Sequence, residues 1–301
     1  MMKVVHKETI TMSFTIFGAT GNTGSVVARE LLDRGEKVRL LVRDPAKVAD
    51  LAARGAEVHK GDVLDPDAVL AALDGAKGAY LLLPPDPAST AFVARGRTIA
   101  ENFAAALTAK KTPHAVLLSS VAAHQPAGTG PIVTAHNAEQ RLGKVTGTRF
   151  SFVRAAYFME NILANAHPIK ADGVLPVFGG GADVRFPMIA TRDIAKVAVE
   201  ALLSPPAATE IIELSGPEPY SLDDAAKAAA KVLGRDVKTV TLPLEKLSPT
   251  LQGFGFSADV ANLYQEMTGA LGTGLVSFDG KGRTVHGTTT LEEVLRAGLT
   301  G

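Results

Sequence analysis

Residues 13–24 read Ser-Phe-Thr-Ile-Phe-Gly-Ala-Thr-Gly-Asn-Thr-Gly, an apolar run that breaks into glycines at Gly18, Gly21 and Gly24. A helical pattern follows at once, with Val26, Val27, Leu31 and Leu32 on one face. Glycines in that order let the backbone turn tightly, approach a pyrophosphate and pack the helix on its strand. The first N–H groups of the helix, with its dipole, then face the phosphates. The segment reads as a dinucleotide-phosphate site, with Gly18, Thr20, Gly21, Asn22, Thr23 and Gly24 as its contacts.

The residues after the second apolar run bear on which dinucleotide fits. An acidic side chain there suits the ribose 2′-hydroxyl of NAD, whereas an arginine suits the 2′-phosphate of NADP. Here Arg43 comes first and Asp44-Pro45 follows, so Asp44 reads as a helix cap. Arg43, with Lys47 one turn on, supplies a fork and a point charge for a phosphate. NADP(H) is therefore preferred and NAD(H) is the alternative; a solvated strand end is the plainer role for Arg43. Asp62 and Val63, beyond the third run, suit an adenine amino group, although an Asx turn accounts for Asp62 as well. Leu83 and Pro84 end the fourth run, where the strand order of such sheets reverses and the nicotinamide side lies.

Elements that position these groups alternate along the first half of the chain. Strands are expected at 13–17, 37–42, 56–59, 79–83, 114–120 and 149–154. Helices are expected between them, the one at 67–73 capped by Asp65 with Pro66 at its first turn. Such alternation predicts an α/β fold, a doubly wound parallel sheet with helices on both faces. Beyond Ala155 the prolines and the run Gly179–Gly181 mark irregular chain. A helix at 192–203, a strand at 210–214 and a helix at 222–233 capped by Ser221 follow, then a mostly helical remainder. The expected division is a disordered extension at 1–12, a nucleotide-binding domain at 13–155 joined by 184–214, and a smaller substrate lobe from 156–183 and 215–301.

The chain of 301 residues is 46% hydrophobic and 21% charged, a globular composition with ample core. Lys+Arg and Asp+Glu balance at 31 each without blocks of one sign, which argues against nucleic-acid and membrane-surface partners. It has no cysteine, so neither a disulfide framework nor a thiolate nucleophile is available. The seven histidines are scattered without metal-ligand spacing, and neither a Gly-x-Ser-x-Gly elbow nor a Walker lysine occurs. No apolar stretch reaches the length of a membrane span and no signal-peptide core opens the chain, so a soluble cytoplasmic protein is expected. Its oligomeric state stays open.

With Gly18-Ala19-Thr20-Gly21-Asn22-Thr23-Gly24 and Arg43-Asp44-Pro45, the chain resembles the short-chain dehydrogenase/reductase superfamily, and within it the atypical NmrA-like branch. Leu117–Ser120, Ala138–Leu142, Phe152–Asn161, Arg192–Ala195 and Leu214–Pro217 extend the resemblance over 13–233. It implies a Rossmann fold, NAD(P) binding, and a nicotinamide and substrate pocket along Tyr157, Phe158 and Asn161.

Typical enzymes of that superfamily use Tyr-x-x-x-Lys, the lysine lowering the tyrosine pKa for proton transfer. Here the residues four after Tyr80, Tyr157, Tyr220 and Tyr264 are Pro84, Asn161, Asp224 and Thr268. Alignment on Ala138-Glu139 puts Pro131 and Ala135 at the tyrosine and lysine positions, and neither moves a proton. The remaining candidates for catalysis are His136, Tyr157 and Ser119, of which Ser119 and Tyr157 are also candidates for cofactor contact, and for substrate contact Ser120, His136, Phe158 and Asn161. Each also has an ordinary role, as a helix-surface histidine, turn-forming serines or a core aromatic. Two functions fit. One is an NADPH-dependent reductase of a small electron-poor acceptor, a quinone or azo compound, that collects its proton from water. The other is a regulator that holds the dinucleotide without consuming it and acts through a protein partner.

Overall fold

The computed structural model describes residues 12–300. The expected extension at 1–12 lies outside them except for Met12, which is exposed. The strands are β1 (Ser13–Phe17), β2 (Val38–Val42), β3 (Glu57–Lys60), β4 (Ala76–Leu81), β5 (His114–Ser120), β6 (Arg149–Ala155), β7 (Tyr157–Phe158), β8 (Val174–Phe178), β9 (Phe186–Ile189), β10 (Glu210–Ser215), β11 (Pro219–Tyr220), β12 (Lys238–Leu242) and β13 (Arg283–His286). Eight of them form one sheet in the order β13-β10-β6-β5-β4-β1-β2-β3, and every pairing in it is parallel.

Parallel strands need crossovers, and the helices in those crossovers cover both faces. This is why β1 is buried at every position and Ala115–Leu118 of β5 form a continuous apolar run. One face is packed by the helices Gly24–Asp33 and Thr191–Leu203, through Val27, Leu31, Ala198 and Leu202. The other is packed by Pro66–Ala72, Phe92–Lys110 and Val133–Leu142, through Val69, Phe103, Leu107, Ala138 and Leu142. The rings of Phe17 and Phe103 meet there at 4.7 Å. Each of the Val, Leu and Phe side chains among them contributes about 1.5–3 kcal/mol by leaving water. Connections reverse direction between β1 and β4, so their carboxyl ends open the crevice in which doubly wound sheets bind ligands.

A third core belongs to the smaller lobe, where Met159, Ile162, Leu175 and Met188 meet Ala225, Ala229 and Leu295 of the helices Leu222–Leu233 and Leu291–Thr300. Ser221 starts the first of these with a full capping box, its Oγ accepting from Asp224 N while Asp224 accepts from Ser221 N.

The second half departs from the sequence reading in its strands. The small sheets β11-β9-β7 and β12-β8 lie in chain expected to be irregular or helical. β13, in the stretch expected to belong wholly to the lobe, instead forms an edge of the central sheet against β10. Its sequence, Arg-Thr-Val-His, is mostly exposed and polar, as suits an outermost strand. Pro176 sits within β8, where a two-stranded sheet leaves a free side for a residue without an N–H.

Candidate functional site

The turn after β1 is built from glycines with different duties. Gly18 has φ +75°, and a Cβ there would run into the Leu82 side chain. At Gly24 a Cβ would run into the Gly18 carbonyl, so helix and turn touch backbone to backbone. Gly21 is different: an added Cβ would meet only the Gly18 oxygen, at 3.4 Å, an ordinary contact. Internal packing therefore does not require a glycine at 21, whereas a ligand approaching the backbone would.

The helix Gly24–Asp33 begins without a side-chain cap and without an acidic residue in its first turn. Its N-terminal partial charge is thus left uncompensated by side chains, as an anion site needs. Thr20 and Asn22 are exposed at this turn. Thr23 is buried, and its hydroxyl accepts from Tyr80 Oη at 2.9 Å. That hydroxyl serves the core. Burial raises the Tyr80 pKa, so the donor stays protonated.

At the end of β2, Arg43 and Lys47 are exposed, and among the described residues neither has an ion pair or a side-chain hydrogen bond. Asp44 caps the following turn, accepting from Ala46 N at 3.1 Å, and is thereby occupied. Asp62 is half-buried and accepts from Leu64 N at 3.0 Å in an Asx turn. Val63 is buried, and its carbonyl accepts from Asn102 Nδ2 at 3.0 Å. A clear face at Gly21, an uncapped helix start and two unpaired cations together fit a dinucleotide carrying an extra phosphate.

The crevice continues at the carboxyl ends of β4 and β5 as a cleft of about 180 Å³ walled by Leu83, Leu118, Ser119, Ser120, Pro131 and Ala135, with Ile132 and Thr134. Pro84, at its edge, accepts from Arg95 Nη1 at 3.4 Å through its carbonyl. A larger cavity of about 360 Å³ lies in the lobe beside Tyr220, the Arg185–Asp224 ion pair and Glu292. It contains no residue from the sheet crevice, and position at the switch point favours the smaller cleft as the site.

Beneath the cleft lies a buried polar network. Ser119 Oγ donates to Glu139 Oε1 at 2.5 Å, and Arg154 grips both oxygens of that carboxylate, Nε to Oε1 at 3.0 Å and Nη2 to Oε2 at 2.7 Å. Arg154 Nη1 continues to Asp279 Oδ1 at 3.1 Å, and Gly280 N donates to Glu213 Oε1 at 2.9 Å. Burial works against the charge on Arg154, but the Glu139 and Asp279 carboxylates outweigh it and hold its pKa above the ordinary value. Burial likewise raises Asp279, yet the Lys281 N–H, the Glu213 side chain and Arg154 bring its pKa below the usual range.

His136, on the helix Val133–Leu142, has Nδ1 at 2.9 Å from the Ala123 carbonyl. That geometry assigns the hydrogen to Nδ1 in the neutral ring and leaves Nε2 as an acceptor. Tyr157 is half-buried on β7, its ring edge-on to Phe186 at 5.4 Å. Burial pushes its pKa up to about 12 against the opposing hydrogen bond with Asn161. Asn161 is exposed, and Phe158 packs on the sheet core. The structure thus brings Leu83, Ser119 and Ser120 into one cleft and Tyr157 beside Asn161, while His136, Tyr157, Phe158 and Asn161 are not among the described walls of that cleft.

A family model described as the NmrA-like family matches residues 8–276. The chain belongs to the NmrA-like family. Its relatives include an NAD(P)H azoreductase of Xenophilus azovorans, 30% identical over 257 residues, covering 84% of this chain and 85% of the relative. Quinone oxidoreductase 2 of Escherichia coli strain K12 is 26% identical over 285 residues, covering 92% and 96%. Among solved structures, an Escherichia coli NADPH-dependent quinone oxidoreductase complexed with NADPH superposes with a TM-score of 0.78 at 24% identity, over 94% of this chain and 99% of that one. A Citrobacter sp. triphenylmethane reductase complexed with NADP(H) gives 0.80 at 19% identity, over 95% and 100%. At these identities the two structures attest the fold alone.

For this NmrA-like chain, residue-by-residue reading missed Glu139, Arg154 and Asp279, which fix the floor of the cleft. It also left Tyr264 unassigned; that side chain is held protonated by burial, edge-on to Phe256 at 5.9 Å. One signal for the network was present: an arginine inside the apolar run Phe-Val-Arg-Ala of a buried strand demands a buried partner. No helix of the described residues is long and apolar enough to cross a membrane.

Proposed function

We propose that this NAD(P)H-dependent reductase passes hydride to a small, electron-poor acceptor, a quinone or an azo compound, without a tyrosine–lysine proton relay. The observation supporting this reading is that Pro131 and Ala135, which the family resemblance puts at the tyrosine and lysine positions, line the cleft wall. Neither side chain moves a proton. A hydride adduct of an electron-poor ring or azo bond is stable enough to collect its proton from water, so positioning and an apolar slot suffice. The names of the azoreductase and quinone oxidoreductase relatives support the same chemistry.

A bound nicotinamide supplies the hydride. In this reading the Gly18–Gly24 turn and the helix start hold the pyrophosphate, with Thr20, Asn22 and the Thr23 backbone around it. Arg43 and Lys47 hold the 2′-phosphate and set the preference for NADPH. Asp62 and Val63 border the adenine; Leu83 and Pro84 border the nicotinamide. Ser120 donates to an acceptor oxygen or nitrogen, and His136 Nε2 accepts from a ligand hydroxyl. Tyr157, kept protonated by its raised pKa, donates a hydrogen bond and orients the acceptor with Asn161 and Phe158.

The test is oxidation of NADPH and NADH by the purified protein against a panel of quinones, azo dyes and simple carbonyls. Saturable turnover of a quinone or azo dye, faster with NADPH, is the expected result. Turnover confined to simple carbonyls would refute the acceptor class. Tight dinucleotide binding without turnover of any acceptor would refute the reductase and favour the regulator.

A further inference from the structure

Ser119 and Ser120 end the same strand and line the same cleft, yet their hydroxyls are in opposite states. Ser119 Oγ is committed as a donor to Glu139 Oε1 at 2.5 Å. Glu139 is itself gripped through both oxygens by Arg154, and both residues are buried, at 6% and 5% exposure. A carboxylate whose two oxygens both take hydrogen bonds from one guanidinium acts as the acceptor of the Ser119 hydroxyl. Turning the Ser119 hydrogen toward a ligand would strip a charge-assisted bond from a buried anion, which is costly in a low-dielectric setting. A hydroxyl has one hydrogen and two lone pairs, so Ser119 has only lone pairs to offer the cleft. Ser120, half-buried, has no hydroxyl partner among the described residues and keeps its hydrogen free.

A group that can only accept must meet a donor. Quinones and azo compounds present oxygens and nitrogens that accept, so Ser119 cannot hydrogen-bond them. The reacting end of a nicotinamide carries one amino group, on its carboxamide. We infer that Ser119 holds that amino group as a pure acceptor, oriented by the Glu139–Arg154 pair beneath it. The inference rests on the reductase reading of the cleft. It divides labour between adjacent serines: Ser119 reads the cofactor, and Ser120 is left to donate to the acceptor.

The experiment is a cycle between protein and ligand. Dissociation constants are measured for NADPH and for reduced 3-acetylpyridine adenine dinucleotide phosphate, which keeps the carbonyl but lacks the amino group, with the wild type and Ser119→Ala. The wild type should prefer NADPH. Ser119→Ala should weaken NADPH about three- to tenfold, one neutral hydrogen bond, and the analogue less than twofold, so the preference collapses. Equal weakening of both ligands, or unchanged NADPH binding, would overturn the assignment. The substitution leaves Glu139 paired with Arg154, so the fold should persist. Ser119→Cys, a poorer acceptor, should give an intermediate preference, and a wild-type preference in that variant also counts against the proposal. A wild type that binds neither dinucleotide would overturn the reductase reading itself, and is thereby distinguishable from failure of the serine assignment alone.

Discussion

The two ends of the crevice are built on opposite plans. At the carboxyl ends of β1 and β2 the polar groups have been left without protein partners: the helix start is uncapped and Arg43 and Lys47 are unpaired among the described residues. At the carboxyl ends of β5 and β6 almost every polar group is satisfied internally, through Ser119, Glu139, Arg154 and Asp279. Groups of the first kind are free to bind and cost little stability when changed. The buried charges of the second kind, Glu139, Arg154 and Asp279, hold shape, and a change there is felt by the whole domain before it is felt by a ligand; Ser119 sits on top of them at the cleft.

The sharpest way to break this contrast is Arg154→Met, which strands the buried Glu139 carboxylate. Removing one partner of a buried ion pair costs about 3–5 kcal/mol, and urea unfolding should register a loss of that size. A loss below about 1 kcal/mol would mean the network is no more structural than a surface pair.

The amino end of β5 offers a second test, smaller and dependent on pH. His114 is fully buried, 3.3 Å from Ser151 Oγ, and burial, with help from the Arg149 charge and against Glu210, lowers its pKa to about 4. As pH falls below about 6.5 the unfolded chain takes up a proton that the native histidine refuses. Stability is therefore lost progressively from pH 6.5 toward pH 4, by about 2–3 kcal/mol near the lower end. His114→Gln should flatten that part of the stability–pH curve relative to the wild type; an unchanged slope would remove His114 as its source.

Arg43→Ala probes the other region and has the smallest effect. NADPH binding should weaken about tenfold, one exposed charge-assisted contact, while NADH binding changes less than twofold and unfolding not at all. Equal weakening of the two dinucleotides would take Arg43 out of the phosphate site.

Legibility in the sequence follows the same division. β1, β5 and the helix Leu222–Leu233 were readable because an apolar run or an amphipathic face is bounded by local signals such as Ser221 or the glycine turn. The phosphate turn was readable because its chemistry is contiguous in the chain. β12 and β13 were not: Lys238–Leu242 and Arg283–His286 are short and mostly exposed, and become strands only because an edge lies beside them. Glu139 and Arg154 lie on different elements, and Asp279 is 125 residues beyond Arg154, so their meeting is a property of topology rather than of local pattern.

β13 has one more consequence. The chain leaves the central sheet after β10, builds most of the lobe, and returns to lay down β13 as the outermost strand beside β10. An earlier excursion leaves after β6 and is back for the helix Thr191–Leu203. After β13 the chain crosses once more, because the helix Leu291–Thr300 packs in the lobe core, so the lobe is strapped to the sheet by five chain crossings with β13 between the last two. A lobe held at that many points cannot swing away on a single hinge, and its freedom is confined to a small arc about the crossings.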